Sequence, residues 1–275
     1  MKQINCLNLC EILPYLLKKR RVDKLLEDAS RIAQFGSVER IYVGSSFCGN
    51  YFLQQSDKTL KELIALCKDK NIKATLVIPA FSEGDLELGK KRIAQIVEMG
   101  KGFFDEFTGN DVGILSHLNV YPLDINLGRL FMKDYRDPRY QEYFQIPWKP
   151  KMFTDYFKRL LQEYKIAGVE FDTTHKIMDF AELPEGITAG IHAPYCYQTV
   201  GRICEYASIQ KEIVKKYRPN DTCHTNCADH LIRYTVSDGN IEYVRFGRAV
   251  YFKHPGYELR NLEKYRLIYF PFHLN

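Results

Sequence analysis

The sequence predicts an α/β protein built on a TIM-like (β/α) barrel, complete or distorted, with a cysteine-bearing appendage at its C-terminal end. Short apolar runs of strand length alternate with longer amphipathic segments, at about 30 residues per strand–helix unit. This order is typical of parallel strands joined by helical crossovers. No low-complexity linker interrupts the 275 residues, a length that suits one domain. A doubly wound open sheet is the alternative architecture.

Six runs have the length and the β-branched or aromatic composition of buried strands. They cover residues 40–43, 73–78, 103–107, 118–121, 167–171 and 188–191. Between and before these runs, apolar residues at helical spacing predict helices over 12–35, 58–70, 83–99 and 153–164. In the second of these helices the shared apolar face is formed by Leu60, Leu63, Ile64 and Cys67.

The strand–helix pattern changes after residue 195, where loops and cysteines become frequent. We therefore assign residues 1–275 to one domain, with the barrel core in 1–195 and a cysteine-rich segment in 196–275. Near the end of that segment, the apolar runs 243–246 and 249–252 flank Gly247 and Arg248. This arrangement predicts a tight hairpin that closes the barrel.

Charge and hydropathy exclude several classes of protein. The 39 basic and 34 acidic residues give a net charge of +5 that is spread along the chain. The basic run 18–21 is typical of a solvated helix face, and we expect no DNA partner. No stretch of about 20 apolar residues predicts a transmembrane helix. The first residues lack the apolar region and cleavage site of a secretory signal, so we expect a cytoplasmic protein.

Polar side chains follow most of the predicted strands, at the end where parallel α/β folds bind ligands. Asp111 and Asp172 each follow a strand, and each could simply cap a helix. The other polar or sulfur-bearing residues at these positions are Ser45, Ser46, Cys48, Asn110, Asp124, Asn126, Thr173, Thr174, His175, His192 and Cys196. Their accumulation predicts a functional site at this rim of the barrel.

Eight cysteines are unusual in a protein expected to be cytoplasmic, where thiols stay reduced or bind metals. Cys67 lies on the apolar face of a predicted helix and is interpreted as a core residue. Cys6 and Cys10 are four residues apart without further ligand-like neighbours, and they too are interpreted as structural.

The other five cysteines have a more polar setting. Cys223 and Cys227 form a C-x3-C pair in a turn-rich loop, with Cys204 and Cys196 upstream. Cys48 follows a predicted strand, so four thiolates could converge. An all-sulfur tetrad suits an iron–sulfur cluster or zinc. The dispersal of the ligands fits a cubane cluster somewhat better, although spacing alone leaves both metals open.

Five groups of residues occur in the same order as motifs of a known family. They are IYVGSSFC (41–48), VIP (77–79), GNDVG (109–113), GRL (128–130) with RDPR (136–139), and GRIC (201–204) with CHTNC (223–227). Together they resemble the peptidase U32 family of collagenase-like proteins over most of residues 40–230. The resemblance is closest to its iron–sulfur branch, which includes UbiU and UbiV of anaerobic ubiquinone hydroxylation.

The resemblance implies a (β/α) barrel and a [4Fe-4S] cluster. Carried over by position, the cluster ligands are Cys48, Cys204, Cys223 and Cys227. The gap between Cys204 and Cys223 is longer than the branch leads us to expect, and Cys196 is the other candidate for the second ligand in chain order. Zinc remains the alternative metal.

The family also implies oxygen-independent hydroxylation of a quinone or other small aromatic, or of tRNA or rRNA, with prephenate as the oxygen donor. A homologous partner subunit is a further implied partner. The candidate catalytic residues are His175, His192, Asp172 and Arg129, and Arg202 is a further group that could hold a carboxylate. Two alternatives stay open: a non-catalytic iron–sulfur accessory subunit, and a peptidase or other hydrolase. No nucleophile elbow supports the latter.

Overall fold

Eight parallel strands close into a barrel, which confirms the predicted TIM-like architecture. The computed structural model describes residues 2–18, 21–33, 36–132, 134, 137, 139, 142, 146–209, 211–219, 221, 223–236, 241–254 and 256–272. The strands are β1 (Lys2–Asn8), β2 (Arg40–Gly44), β3 (Lys73–Ile78), β4 (Phe104–Gly109), β5 (Asp124–Leu127), β6 (Ile166–Asp172), β7 (Ile177–Asp179), β8 (Thr188–Ala193), β9 (Tyr195–Val200), β10 (Ile232–Val236), β11 (Ile241–Phe246), β12 (Ala249–Lys253), β13 (Glu258–Arg260) and β14 (Lys264–Tyr269).

The barrel runs in the order β1, β2, β3, β4, β5, β6, β8 and β14, and β14 pairs again with β1. Helices pack around it: α1 (Leu13–Leu17), α2 (Val22–Ala33), α3 (Gly49–Gln54), α4 (Asp57–Asp69), α5 (Leu86–Met99), α6 (Val112–Leu118) and α7 (Asp155–Glu163). None of the helices in the described ranges is long and apolar enough to cross a membrane.

Five of the six predicted strands are confirmed within two residues at each end; they are β2, β3, β4, β6 and β8. The prediction of a strand over 118–121 is wrong. Leu118 ends α6, where it is buried together with Ile114 and Leu115, whereas Val120 is exposed. The buried positions therefore repeat at helical spacing, and the strand β5 begins only at Asp124.

Three of the four predicted helices are confirmed as α4, α5 and α7, with α5 preceded by a short 3-10 turn. The buried face of α4 is the predicted one. The predicted helix 12–35 is instead divided into α1 and α2, and its last residue, Phe35, lies outside the described residues. Lys19 and Arg20 of the basic run also lie outside them, while Lys18 is paired with Asp229.

Residues 196–275 do two different things. Strands β9 to β12 form a second, antiparallel sheet, and the predicted hairpin is confirmed as β11 and β12 around Gly247. Strand β14 then returns to the barrel between β1 and β8. The barrel therefore does not end at residue 195, since its eighth strand comes from the predicted appendage.

The amino ends of the barrel strands enclose an ion-pair network, called here the amino-end network. Arg266 Nη1 donates to Glu106 Oε1 at 2.5 Å, and Arg40 Nη1 lies 3.2 Å from the same oxygen. Arg40 also donates to both oxygens of Asp105, at 2.6 and 2.8 Å, and the Thr75 hydroxyl donates to Glu106. Charged groups thus fill this end of the barrel in mutually neutralising pairs.

Candidate functional site

Arg129 lies just past the carboxyl end of β5, in a short 3-10 turn, and is 1% exposed. Its Nη1 donates to Asp172 Oδ1 at 3.0 Å, at the carboxyl end of β6. The guanidinium carbon lies 5.0 Å from the ring centre of Phe47, 5.8 Å from Tyr197 and 5.9 Å from Tyr251. Two of the predicted catalytic residues therefore form a buried ion pair surrounded by aromatic rings, with Tyr197 and Tyr251 supplied by the second sheet.

Only one side of the Arg129 guanidinium is bonded. None of the described residues accepts a hydrogen bond from Nε or Nη2, although both atoms are buried. These two nitrogens form the side-on edge of the group, whose parallel N–H bonds match the two oxygens of a carboxylate. A buried donor without a partner costs about 1–3 kcal/mol of stability, so this edge is an expensive feature to keep.

Glu170 and His192 form a second pair, one layer deeper in the barrel. His192 Nε2 and Glu170 Oε2 are 2.7 Å apart, and the Thr108 hydroxyl donates to Glu170 Oε1 at 2.6 Å. Burial raises the pKa of Glu170 to about 7. Because Glu170 and Asp172 alternate along β6, their side chains lie on the same side of the strand and both point toward Arg129.

Glu11, three residues past the end of β1, completes this rim. Its Oε1 accepts from the Ser45 hydroxyl at 2.6 Å and from the Phe47 amide at 2.8 Å, whereas its buried Oε2 has no partner among the described residues. Burial raises the pKa of Glu11, and the charge of Arg129 lowers it in part, so the two groups are neighbours. Glu11 has a φ of 56°, a conformation that non-glycine residues rarely adopt outside constrained sites.

His175 lies apart from these residues. Its Nδ1 is 3.2 Å from Asp134 Oδ2 and 3.1 Å from the Thr174 hydroxyl, and its ring stacks on Trp148. Arg202 is exposed on the second sheet side of the chain. The structure thus brings Arg129, Asp172 and His192 together with Glu170, and places His175 and Arg202 elsewhere. Asp111 caps α6, as its simpler interpretation predicted.

Four of the cysteines form a neighbouring group at the same end of the barrel, called here the cysteine cluster. The pKa of Cys227 is raised first by burial and then by the nearby thiols of Cys48, Cys223 and Cys204. Burial likewise raises the pKa of Cys48 to about 12, with Cys223 adding to the effect. These are the four ligands that the family resemblance implies, and they come from three separate parts of the chain.

Specific contacts hold the parts of the cysteine cluster together. Cys48 caps α3, and its sulfur accepts from the Tyr51 amide at 3.4 Å. From α3, the Gln54 side chain donates to the Cys223 carbonyl at 3.3 Å. The Asn226 side chain donates to the Tyr206 carbonyl at 2.9 Å, which ties the C-x3-C loop to the turn that follows Cys204. The loop bearing Cys223 is therefore anchored on both sides.

A positive charge and backbone amides face the cysteine cluster. Arg248, at the hairpin turn, lowers the pKa values of Cys48 and Cys223 and so opposes the effect of burial. The Thr225 amide donates to the Cys223 sulfur at 3.3 Å. Such N–H···S bonds and a nearby cation stabilise thiolates and tune iron–sulfur clusters.

The other cysteines lie outside this group. Cys196 is fully buried in β9 among Tyr243, Val250 and Phe252. Cys67 is fully buried in the core, and Cys6 and Cys10 belong to a small apolar cluster inside the barrel. The second ligand suggested by the family motif, Cys204, is therefore the one that lies beside the other three sulfurs.

The donor set was tested for its fit to a metal centre. Its members are all sulfur, and they lie close enough to influence each other's ionisation. Within the described ranges, however, no three His, Cys, Asp or Glu side chains are grouped tightly enough to hold a single metal ion. Thiolates on one tetrahedral zinc ion stand about 4 Å apart, given Zn–S bonds of about 2.3 Å. A cubane holds them farther apart because its own iron and sulfide ions lie between them, so the donor set fits a cluster.

Several site residues were missed by the sequence analysis. Glu170 stands in the middle of the apolar run Ala-Gly-Val-Glu-Phe, and a lone carboxylate in a buried strand is a usable signal. Glu11 directly follows Cys10 in an unremarkable segment. Its partners Ser45, Phe47 and Arg129 lie far away in sequence, so only the fold brings out its role.

Comparison with known proteins adds no further assignment. No protein-family model matches the chain, and no curated protein is significantly similar to it.

Proposed function

We propose that this chain is an iron–sulfur protein that takes part in an oxygen-independent, hydroxylation-type modification of a small aromatic, quinone or RNA substrate. The cluster is of the [4Fe-4S] type and is held by four thiolates: Cys48, Cys204, Cys223 and Cys227. When bound, such a cluster supplies one-electron redox chemistry. The proposal draws on the ordered motif resemblance and on the position of the cysteine cluster at the carboxyl end of a barrel, where this fold carries its active sites.

The mutual proximity of four thiols is the observation that carries the proposal. Cys48 and Cys227 are 5% and 6% exposed, and buried thiolates repel one another in a medium of low dielectric. Four such sulfurs gathered without a cation gain nothing from their proximity. A bound cationic centre deprotonates them and turns the repulsion into attraction. Raised pKa values also make these thiols poor nucleophiles, which disfavours a cysteine-peptidase role.

The chain's own residues supply the rest of the site. Arg129 binds an anionic group, and Asp172 fixes its orientation. The Glu170–His192 pair can hold or pass a proton, since Glu170 titrates near neutral pH. Tyr197 and Tyr251, from the second sheet, cover Arg129 and keep water from it. The arrangement places an anion-binding group and a proton-holding pair at the same end of the barrel as the cysteine cluster.

Anaerobic purification tests the cluster directly. We expect brown protein with about four iron and four sulfide per chain and the broad absorbance of a cubane. Substituting any ligand singly by Ala should remove most of the iron, whereas Cys67→Ala and Cys196→Ala are matched controls that should keep it. Colourless protein with stoichiometric zinc would contradict the proposal. Iron retained by Cys204→Ala and lost by Cys196→Ala would overturn the ligand assignment alone.

A role as a non-catalytic accessory subunit is the second candidate, and one observation favours it. Ile213, Val214 and Tyr217, between Cys204 and Cys223, are 87%, 78% and 57% exposed. Exposed apolar residues of this kind are typical of a contact surface. An accessory subunit needs the cluster but no substrate site, so it predicts full iron content together with no ligand binding at Arg129.

A further inference from the structure

Two buried polar groups at the carboxyl end of the barrel are only half bonded, and they face the same region. Nε and Nη2 of Arg129 have no acceptor, and Oε2 of Glu11 has no donor, among the residues that the structure describes. Both side chains are buried, at 1% and 4% exposure. In native proteins nearly all buried polar atoms are hydrogen-bonded, so two such exceptions side by side call for an explanation.

The two groups are held near each other but do not bond to each other. Phe47 links them, because its amide donates to Glu11 Oε1 and its ring lies 5.0 Å from the Arg129 guanidinium carbon. Tyr251 adjoins both, since the charges of Glu11 and Arg129 each affect its pKa. Had the fold needed only a salt bridge, the free edge of Arg129 and the free oxygen of Glu11 could have formed one.

Each unsatisfied edge specifies a chemical group. The side-on pair of Arg129 matches a carboxylate, which accepts two parallel hydrogen bonds. The remaining oxygen of Glu11 matches a hydroxyl, which can either donate or accept. The rings of Phe47, Tyr197 and Tyr251 favour an apolar or aromatic body over a highly charged one.

We infer that Arg129 and Glu11 form a two-point binding site for a small hydroxycarboxylate with an apolar body. Nε and Nη2 of Arg129 bind the carboxylate, and Glu11 Oε2 hydrogen-bonds the hydroxyl. Asp172 holds the other side of the guanidinium, and Ser45 holds the other oxygen of Glu11. The role of this ligand as substrate rests on the proposed function, whereas its binding requires no cluster.

The test uses mandelate, which carries a carboxylate, an adjacent hydroxyl and a phenyl ring, and 3-hydroxybenzoate as a planar alternative. Phenylacetate lacks the hydroxyl of mandelate, and mandelamide lacks its carboxylate. Calorimetric titration of the anaerobically purified wild type should show mandelate or 3-hydroxybenzoate binding, with phenylacetate several-fold weaker and mandelamide at least tenfold weaker. Absence of binding by both hydroxycarboxylates would overturn the inference.

Variants assign each contact. Arg129→Lys keeps the charge but loses the side-on pair, so carboxylate affinity should fall at least tenfold. Glu11→Gln should weaken mandelate several-fold and leave phenylacetate unchanged, a cycle that separates a lost hydroxyl contact from a misfolded site. Arg92→Lys, on the outer helix α5, is the matched control and should bind as wild type. Equal losses for mandelate and phenylacetate in Glu11→Gln would contradict the hydroxyl contact.

Iron content separates this inference from the proposed function. If Arg129→Lys keeps its iron and sulfide but loses mandelate binding, the ligand site is distinct from the cysteine cluster. If the wild type binds mandelate but holds no iron, the proposed function fails and the ligand site stands. Unchanged affinity in both Arg129→Lys and Glu11→Gln would show that their unbonded atoms serve only ordered water.

Discussion

The two ends of the barrel treat their buried charges in opposite ways. In the amino-end network, Glu106 contacts Arg40, Arg266 and Thr75, and Arg40 is doubly bonded to Asp105. At the carboxyl end, unbonded polar atoms accumulate. Within the described residues they include Asn8 Nδ2, Glu11 Oε2, Asn126 Oδ1 and the side-on edge of Arg129.

This difference indicates a division of labour between stability and function. Closed ion pairs keep each buried charge neutralised, so the amino end needs no external partner. Unbonded groups instead cost about 1–3 kcal/mol each, and a fold keeps them where a ligand later supplies the missing bonds. That functional sites lie at the carboxyl end of (β/α) barrels is a general rule, and here the hydrogen-bond accounting points to the same end independently.

The same substitution at the two ends should have its largest difference in stability. Glu106→Gln leaves Arg40 and Arg266 without their shared carboxylate, so we expect the free energy of unfolding to fall by about 3 kcal/mol. Glu11→Gln keeps the two bonds of Oε1 and loses none at Oε2, so its change should stay within about 1 kcal/mol. Urea unfolding measures both. Equal losses at the two sites would remove the contrast.

The pH dependence of stability probes the carboxyl end through Glu170. Burial raises its pKa in the folded state to about 7, against an ordinary value of 4.5. The folded state therefore favours the protonated form, which stabilises it fully below about pH 4.5, and this contribution is lost as the pH rises to about 7. The loss is about 3 kcal/mol for a shift of this size.

Glu170→Gln removes this titration while keeping groups that can bond to Thr108 and His192. The difference in unfolding free energy between the variant and the wild type should thus change between pH 4.5 and 7, in favour of the variant at the higher pH. Urea unfolding at several pH values provides the curves. Parallel curves would mean that Glu170 is ionised throughout this range and that the pair holds no proton.

The barrel class could be predicted from sequence because five of its strands follow the expected buried pattern. β1 and β14 escaped detection for a physical reason. In β14 the inward-facing Arg266 belongs to the amino-end network, and β1 carries polar residues along its length. A barrel with a polar interior hides its strands from a method that looks for apolar runs.

The candidate site divides in the same manner. The cysteines and the residues after each strand could be proposed because their positions relative to strand ends are local features. Glu11 could not, since its meaning depends on contacts with Ser45 and Phe47 that only the folded chain brings together. His175 shows the converse, because a sound position after a strand led it to Asp134 and Trp148 rather than to Arg129.

The smallest expected effect compares one tyrosine hydroxyl at each end. Tyr197 donates to the Arg129 carbonyl at 3.2 Å in a buried setting, while Tyr265 donates to the exposed Gln3 side chain at the amino end. Tyr197→Phe leaves a buried carbonyl without this donor and should cost about 1 kcal/mol, whereas in Tyr265→Phe water can replace the lost bond at about half that cost or less. Urea unfolding resolves this difference.

The ring of Tyr197 remains in Tyr197→Phe, so the aromatic wall beside the guanidinium is preserved and only the backbone of Arg129 loses a fixed contact. We therefore expect mandelate affinity to fall by less than in Arg129→Lys, with the iron content unchanged. A loss of mandelate binding as large as that of Arg129→Lys would show that the Arg129 turn needs this hydroxyl for its position. The carboxyl end would then resemble the amino end, with its binding edge dependent on a closed hydrogen-bond network.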